Sequence, residues 1–423
     1  MINPTMVTFK HSFPVKLISW IESYGHWLLP VLLIFSRAVA DITVLVIGLI
    51  FLLRCYQIKD WSWTKSIWFR FNLIFWLYLL MINVPLSINV TDSLFYALTY
   101  MRWPLFAASL AYWIFAHKTR QKDFLIALLA VSIFIIFDTG LQYVIGEDIF
   151  GIPKFSDERL TGPFRGPVPG IMMLRVFFIV LFLTAFIPQL RTHLNRIFFV
   201  MVLLAIGTLF MLITGERMAF ILFFSCSIFV LLGLGLEQRA NQLMILLGLF
   251  IMLGFVFTLV MLEPDIAQRS VYSACAKLKD FVDSDYGKVF RAAIESWGNY
   301  PFFGSGIHTY QQSCEQIGFL NQLGMSCTHP HNLYLHIGAE TGWVGLFLFS
   351  LAIASIFHTS LHFLIQSRKW FLMTLSLSVL FVSFWPLIGG ISILNNGVAA
   401  LVWLGVGWVL AVSRQRESVV KQK

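Results

Sequence analysis

Long apolar runs recur along the whole chain and are separated by short polar segments. A run of about 18 residues or more can cross a hydrocarbon core of roughly 30 Å as a helix. Arg37 and Asp41 interrupt an apolar stretch that is too long for one helix, so we expect a tight turn there. The pattern predicts about twelve spans, at 17–36, 39–56, 67–84, 94–116, 123–143, 169–190, 197–213, 217–236, 241–262, 332–358, 369–388 and 395–412. The fold class is therefore an all-α integral membrane protein.

Two segments between the spans are longer than turns. Residues 146–170 are rich in glycine and proline, as loops are. Residues 263–331 are expected to hold helices of their own, because Phe290, Ile294 and Trp297 recur at helical spacing and would form one apolar face. The chain then divides into spans one to nine (1–262), a partly helical loop domain (263–331), and spans ten to twelve with a tail (332–423).

Composition and charge agree with this division. Only 12% of the 423 residues are charged and the net charge is +9. Lysine and arginine concentrate in alternate connections, around 10–16, 54–65, 118–122, 191–196, 239, 368–369 and 414–423. Basic short loops face the cytoplasm, so both termini are predicted inside and both long segments outside, in a periplasm. The basic residues are loop anchors, which argues against a nucleic-acid partner.

Three of the five cysteines, Cys275, Cys314 and Cys327, fall in the second long segment. Disulfides persist in compartments such as the bacterial periplasm. A Cys314–Cys327 bridge would close a short loop, but three free thiols fit the sequence equally well because connectivity cannot be read from it.

The stretch "CTHPHNLYLHIGAETGWVGL" brings polar chemistry to the start of an apolar helix. The spacing of His329, His331 and His336 does not match helical zinc pairs, which need ligands four residues apart, so no metal is expected. Asn332 is a good helix N-cap, and a helix start favours anions. His331 precedes it and is expected to have a lowered proton affinity, as a general base near neutral pH needs.

Arginines supply the complementary charge at the same face. Arg217 follows Glu216 between the seventh and eighth spans, and Arg291 lies in the loop domain. The guanidinium fork matches phosphate oxygens, although Arg217 could equally snorkel to headgroups and Arg291 could be solvated. Arg159 and Arg165 are further cationic candidates. Glu340 is either functional or paired for packing.

Two arginines and one histidine at the membrane boundary suit a lipid-linked diphosphate. The histidine would deprotonate an incoming hydroxyl while the arginines stabilise the departing diphosphate without a metal. The predicted chemistry is glycosyl transfer. The sequence has no GxxxxGK[ST] phosphate loop, which argues against a nucleotide-driven pump.

These residues resemble a known family. "HNLYLHIGAETGWVG" fits the pattern H-[NSQ]-x9-G-x-x-G of bacterial O-antigen ligases, although Leu346 departs from the residues usual after it. "RMAFI", from Arg217, is similar to the family's R-x3-L element with Ile221 in place of leucine. "RAAIESWGNYPFFGSG", from Arg291, is similar to the R…W…P-x-x-G-x-G segment of the ligase and polymerase superfamily.

The resemblance implies a GT-C-like, metal-independent and cofactor-free inverting glycosyltransferase. It would move a glycan from undecaprenyl diphosphate to the lipid A core at the periplasmic face of the inner membrane, in lipopolysaccharide biosynthesis. Arg217 and Arg291 would bind the diphosphate, and His331 would be the base. Glycines 342 and 345 would permit close helix packing.

Two other functions stay open at this point. An O-antigen polymerase would share donor and fold but take a second lipid-linked repeat as acceptor. A flippase for lipid-linked sugars would line a path with intramembrane charges, and Arg70, Arg102, Asp138 and Arg175 are scattered instead.

Overall fold

The computed structural model describes residues 13–157, 159–187, 193–237, 242–262, 280–387 and 396–421. Lys10, Arg191, Arg239 and Cys275, which the sequence analysis used, lie outside these ranges. The helices are α1 Phe13–Trp20, α2 His26–Ile34, α3 Arg37–Ile58, α4 Ile67–Tyr78, α5 Val90–Tyr100, α6 Arg102–Ser109, α7 Lys118–Ile145, α8 Pro169–Val180, α9 His193–Ile213, α10 Arg217–Glu237, α11 Gln242–Leu262, α12 Asp285–Asn299, α13 Tyr310–Ile317, α14 Phe319–Gln322, α15 Leu333–Gln366, α16 Trp370–Phe384 and α17 Asn396–Lys421.

The prediction of an all-α polytopic membrane protein is confirmed. Among the described residues, seven helical segments are long and apolar enough to cross a membrane, and four shorter apolar ones accompany them. The predicted fourth span, 94–116, is divided, because α5 ends at Tyr100 and α6 begins at Arg102. Ser36 marks the predicted turn after the first span, where its hydroxyl accepts a hydrogen bond from Val39 N at the start of α3 (3.4 Å). The count of twelve spans stays a prediction.

At one end of the bundle, arginines next to the basic connecting segments form ion pairs with acidic side chains. Arg54 and Arg120 both pair with Glu22, at 3.4 and 3.9 Å, and Arg196 pairs with Glu237 at 3.7 Å. We call this end the basic side. The opposite end, which carries residues 146–168 and 280–332, is called the loop side.

The centre of the bundle is formed by two helices that the rest of the chain surrounds. Every residue of α8 is buried, and so is nearly all of α17 between 398 and 413. Trp408 of α17 packs edge-on or tilted against Phe115, Phe124 and Phe182, with ring centroids 5.3, 5.5 and 5.7 Å away. Apolar burial around one large ring therefore fixes the middle of the molecule.

Helices α10 and α16 lie side by side and run antiparallel. On the basic side, Phe371 N donates to the Glu237 carboxylate at 3.2 Å. Phe229 of α10, eight residues before Glu237, packs against Phe381 of α16, ten residues after Phe371. Their ring centroids are 6.3 Å apart. From that level α10 extends twelve residues to Arg217 and α16 only three to Phe384, so Arg217 lies on the loop side, roughly 13 Å along the helix axis beyond the end of α16.

The loop domain is partly helical, as predicted, but its main helix buries a different face from the expected one. Ser284 caps α12 by accepting from Gly287 N at 3.2 Å. The buried side chains are small, with Ala292 and Ala293 at 1% and 0% exposure, whereas Ile294 is 56% exposed. The prediction of an apolar face through Ile294 is wrong because close packing against α15 selects small residues.

Candidate active site

His331 lies in the turn before α15, and hydrogen bonds fix the two residues that follow it. His331 has φ +51°, which is uncommon for a residue with a side chain. After it, the Asn332 side chain caps α15 by accepting from Tyr334 N and Leu335 N at 3.0 and 3.2 Å. Leu333 N donates to Pro386 O at 3.0 Å, just beyond the end of α16. The strained turn is thus held against the segment that follows α16.

A cavity of about 560 Å³ opens beside this turn. Its walls come from His329 and His331, from the first turns of α12, and from the segment 324–328. Cys314 and Cys327 form a disulfide with Cα atoms 5.8 Å apart. This bridge ties the third wall to α13, so one side of the cavity is covalently anchored.

The two imidazoles at the cavity are both held in the neutral form. Their ring centroids are 4.1 Å apart, and Tyr286 meets His331 edge-on at 5.5 Å. Burial lowers the pKa of His331, and burial together with the neighbouring histidines lowers the pKa of His329 to about 4. Within the described part of the chain, Nδ1 of His331 and Nε2 of His329 are buried without a hydrogen-bond partner. A neutral imidazole with a free nitrogen can accept a proton.

Glu216 and Arg217 lie where α10 begins. The Glu216 carboxylate accepts from Gly170 N and Ile171 N, at 2.7 and 3.2 Å, and so caps the start of the buried helix α8. Burial raises the pKa of Glu216 to about 7, against the lowering effect of these bonds and of the Arg159 charge. Glu216 therefore caps α8, and the half-buried Arg217 follows it at the start of α10.

Arg291 does not reach the cavity. Its guanidinium pairs with Glu295 at 2.8 Å and lies over the Phe319 ring at 4.8 Å, with 64% of the side chain exposed. Positions 285, 286 and 289 of α12 line the cavity, and residue 291 projects from nearly the opposite side of that helix. Sequence reasoning grouped Arg291 with His331, and the fold separates their side chains.

The two remaining arginine candidates lie in the segment 146–168. Arg159 donates to Pro167 O at 3.1 Å and acts electrostatically on Glu216, whereas Arg165 is exposed. A third arginine, Arg175 of α8, appears in the sequence analysis only among the scattered intramembrane charges and not among the site candidates. It is 1% exposed, and its Nε and Nη2 have no hydrogen-bond partner among the described residues. A charge inside an apolar helix is costly. The position of this arginine within an apolar run is therefore a signal that could have marked it as a candidate.

Glu340 connects the loop domain to α15. Its Oε1 accepts from Tyr310 N at 3.1 Å and lies 3.2 Å from Nε2 of His336. The carboxylate and the histidine are both buried, at 1% and 8% exposure. Glu340 is thus paired with a histidine, as one of the two interpretations expects, and a functional role for it stays a prediction.

The motif glycines meet at a break in α15. Gly342 has φ +67° and ψ −173°, a conformation that essentially only glycine adopts. The backbone groups freed by the break bond to the segment 301–306, with Trp343 N donating to Pro301 O at 2.8 Å and Gly306 N donating to Glu340 O at 2.9 Å. A Cβ on Gly304 would lie 2.3 Å from the Glu340 carbonyl carbon. The two glycine motifs therefore form one joint between two backbones, a closer contact than helix packing requires.

Within the described residues, no three His, Cys, Asp or Glu side chains come together in a way that could hold a metal ion. The site offers two neutral imidazoles, hydroxyl groups and one carboxylate at a cavity, with arginines near the adjoining helix ends. Such a set can transfer a proton and bind polar, uncharged groups.

Comparison with known proteins supports the family resemblance that the sequence motifs indicate. Residues 200–350 match the sequence model of the O-antigen ligase family. No curated protein matches the chain. A chain from a solved structure described as the structural coordination of polymerization and crosslinking by a peptidoglycan synthase complex aligns at 18% identity and a TM-score of 0.47, covering 84% of this chain and 98% of its own length. Residues 200–350 of this polytopic membrane protein are thus similar to the O-antigen ligase family.

Proposed function

We propose that the protein transfers a glycan from undecaprenyl diphosphate to a sugar hydroxyl of the lipid A core, with inversion, at the periplasmic face of the bacterial inner membrane. Both termini would be cytoplasmic. The observation that carries this proposal is a neutral, half-buried His331 at a polar cavity on the loop side, the side on which the half-buried Arg217 begins α10.

In the proposed reaction, His331 takes the proton of the acceptor hydroxyl. The acceptor oxygen then bonds to the anomeric carbon from the face opposite the diphosphate. The bond between that carbon and the diphosphate oxygen breaks, and its electron pair leaves with the diphosphate. Arg217 stabilises the departing charge through its guanidinium fork.

In this proposal, a role for Arg291 requires that its side chain rearrange. Its guanidinium is engaged by Glu295 and faces away from the cavity. A role at the diphosphate requires that it exchange Glu295 for phosphate oxygens. Arg159 and Arg175 act on Glu216 beside the start of α8, which makes them further sources of positive charge for the donor.

The test supplies the purified protein in lipid with undecaprenyl-diphosphate-linked glycan and one of two acceptors. Product on lipid A core supports the ligase, and lengthened lipid-linked glycan supports the alternative, a polymerase. His331→Ala should lower the transfer rate by roughly 10²–10⁴-fold, because it removes a general base, and should leave donor binding unchanged. Arg217→Ala should weaken donor binding itself. Wild-type protein that moves the donor across the bilayer without forming a glycosidic bond would refute the proposal.

A further inference from the structure

The polar cavity beside His331 has a chemistry of its own, separate from that of a phosphate site. Asp285 and Tyr286 form one wall, and Ser326 and Thr328 form another, with His331 between them. Asp285, Tyr286, Ser326 and Thr328 are exposed at the rim, while His331 is half-buried. At about 560 Å³ the cavity lies within the range of roughly 300–1,000 Å³ typical of small-molecule sites.

The charge at this cavity excludes a diphosphate as its occupant. Its described lining contains one carboxylate, Asp285, and neither lysine nor arginine. Asp285 stands in the first turn of α12, so it already supplies the negative charge that a helix start favours. Neither cation of the first turns of that helix, Lys288 or Arg291, lines the cavity, and Arg291 is paired with Glu295 on the other side. A diphosphate placed here would meet a like charge and no cation.

The same groups suit a polyol. A carboxylate accepts hydrogen bonds from two sugar hydroxyls, and serine and threonine hydroxyls both donate and accept. The Tyr286 ring offers an apolar face beside the His331 ring, 5.5 Å away. His331 also lines the cavity, and its Nδ1 has no partner in the described residues, so the ring has hydrogen-bonding capacity left for a bound hydroxyl.

We propose that this cavity is the acceptor-sugar site, in which Asp285, Ser326 and Thr328 bind hydroxyls of the acceptor glycan and orient one of them toward His331. This inference rests on the proposed function and adds to it the side from which the acceptor approaches. The donor diphosphate would then bind outside this cavity, at the cationic groups of the proposed function, of which Arg217 is the first.

Two variants and a matched control test the assignment in the full-length protein in lipid. Asp285→Asn removes the charge, and the double variant Ser326→Ala with Thr328→Val removes two hydroxyls. Asp283→Asn is the control, because it is exposed on the same segment and does not line the cavity. Each cavity variant should raise the KM for the acceptor roughly ten-fold, the loss expected for one charge-assisted hydrogen bond or two neutral ones. The donor KM and the thermal midpoint should stay at the wild-type values, and the control should change none of the three.

A binding measurement separates this inference from the proposed function. Delipidated lipid A core oligosaccharide and the oligosaccharide of one lipid-linked repeat are each added without donor, and saturation transfer from protein to sugar is recorded by NMR. Transfer to one of them that is lost in Asp285→Asn supports the site, whether or not catalysis is seen. If wild-type protein catalyses transfer while the cavity variants keep the wild-type acceptor KM, or raise the donor KM instead, the inference fails and the proposed function stands. Absence of saturation transfer to both sugars in the wild type also overturns the inference.

Discussion

The break in α15 makes a sharp prediction, because it combines a backbone conformation and a contact that glycine alone permits. In Gly342→Ala the new Cβ would lie 2.3 Å from the carbonyl carbon and oxygen of Phe302. The backbone at φ +67° and ψ −173° would cost a further 1–3 kcal/mol or so for a residue with a side chain. The segment 301–303 would have to withdraw, and it would release the bonds from Trp343 N and Val344 N.

The magnitude follows from these parts. Two lost backbone hydrogen bonds cost roughly 0.5–1.5 kcal/mol each. With the conformational strain, we expect a loss of roughly 2–6 kcal/mol in the free energy of unfolding. In a chain of this size, that loss should lower the unfolding midpoint by roughly several degrees.

The assay is thermal unfolding in lipid nanodiscs, followed by intrinsic tryptophan fluorescence. Gly140→Ala is the matched control, since it lies within α7 and its Cβ would have no neighbour within 4 Å. Alanine is the better helix former, so the control should match the wild type or slightly exceed it. A Gly342→Ala midpoint within about one degree of the wild type would refute the reasoning, since it would mean that the contact and the strain together cost no more than about 1 kcal/mol.

Two further predictions concern pH. Burial raises the pKa of Glu216 from 4.5 to about 7, so the folded state holds this proton more tightly than the unfolded chain does. Its contribution to stability is full below pH 4.5 and falls by about 3 kcal/mol as pH rises to 7. Thermal midpoints should show this slope in the wild type and lack it in Glu216→Gln, and parallel profiles would contradict the assignment. Burial lowers the pKa of His331 below 6.5, so kcat/KM for transfer should fall on acidification through a pKa below 6.5 and stay level at neutral pH. An acid limb centred above 6.5 would contradict a neutral base.

Features that depend on local sequence could be predicted. The long apolar runs gave the positions of the helices, and the residue types around Asn332 gave the start of α15 together with its cap. Both depend on neighbours within one or two helical turns, which periodicity and capping preferences capture.

Features that depend on distant segments could not be predicted. The break at Gly342 is stabilised by residues 301–306, about forty positions earlier, and by Tyr78, whose hydroxyl donates to Thr341 O at 2.6 Å. The side on which Arg291 projects depends on which face of α12 meets α15. Small side chains decide that face, so a search for large apolar residues chose the wrong one.

Burial, and not an ion pair, controls the pKa of His331. No described carboxylate contacts His331, so nothing holds it protonated in the free protein. In the proposed reaction a diphosphate on the Arg217 side would bring negative charge toward the imidazole and raise its pKa. Starting from a lowered value, that rise brings the base toward the operating pH, where proton transfer is most effective. A base with an ordinary or raised pKa would instead become protonated when the donor bound, and it could not then accept the hydroxyl proton.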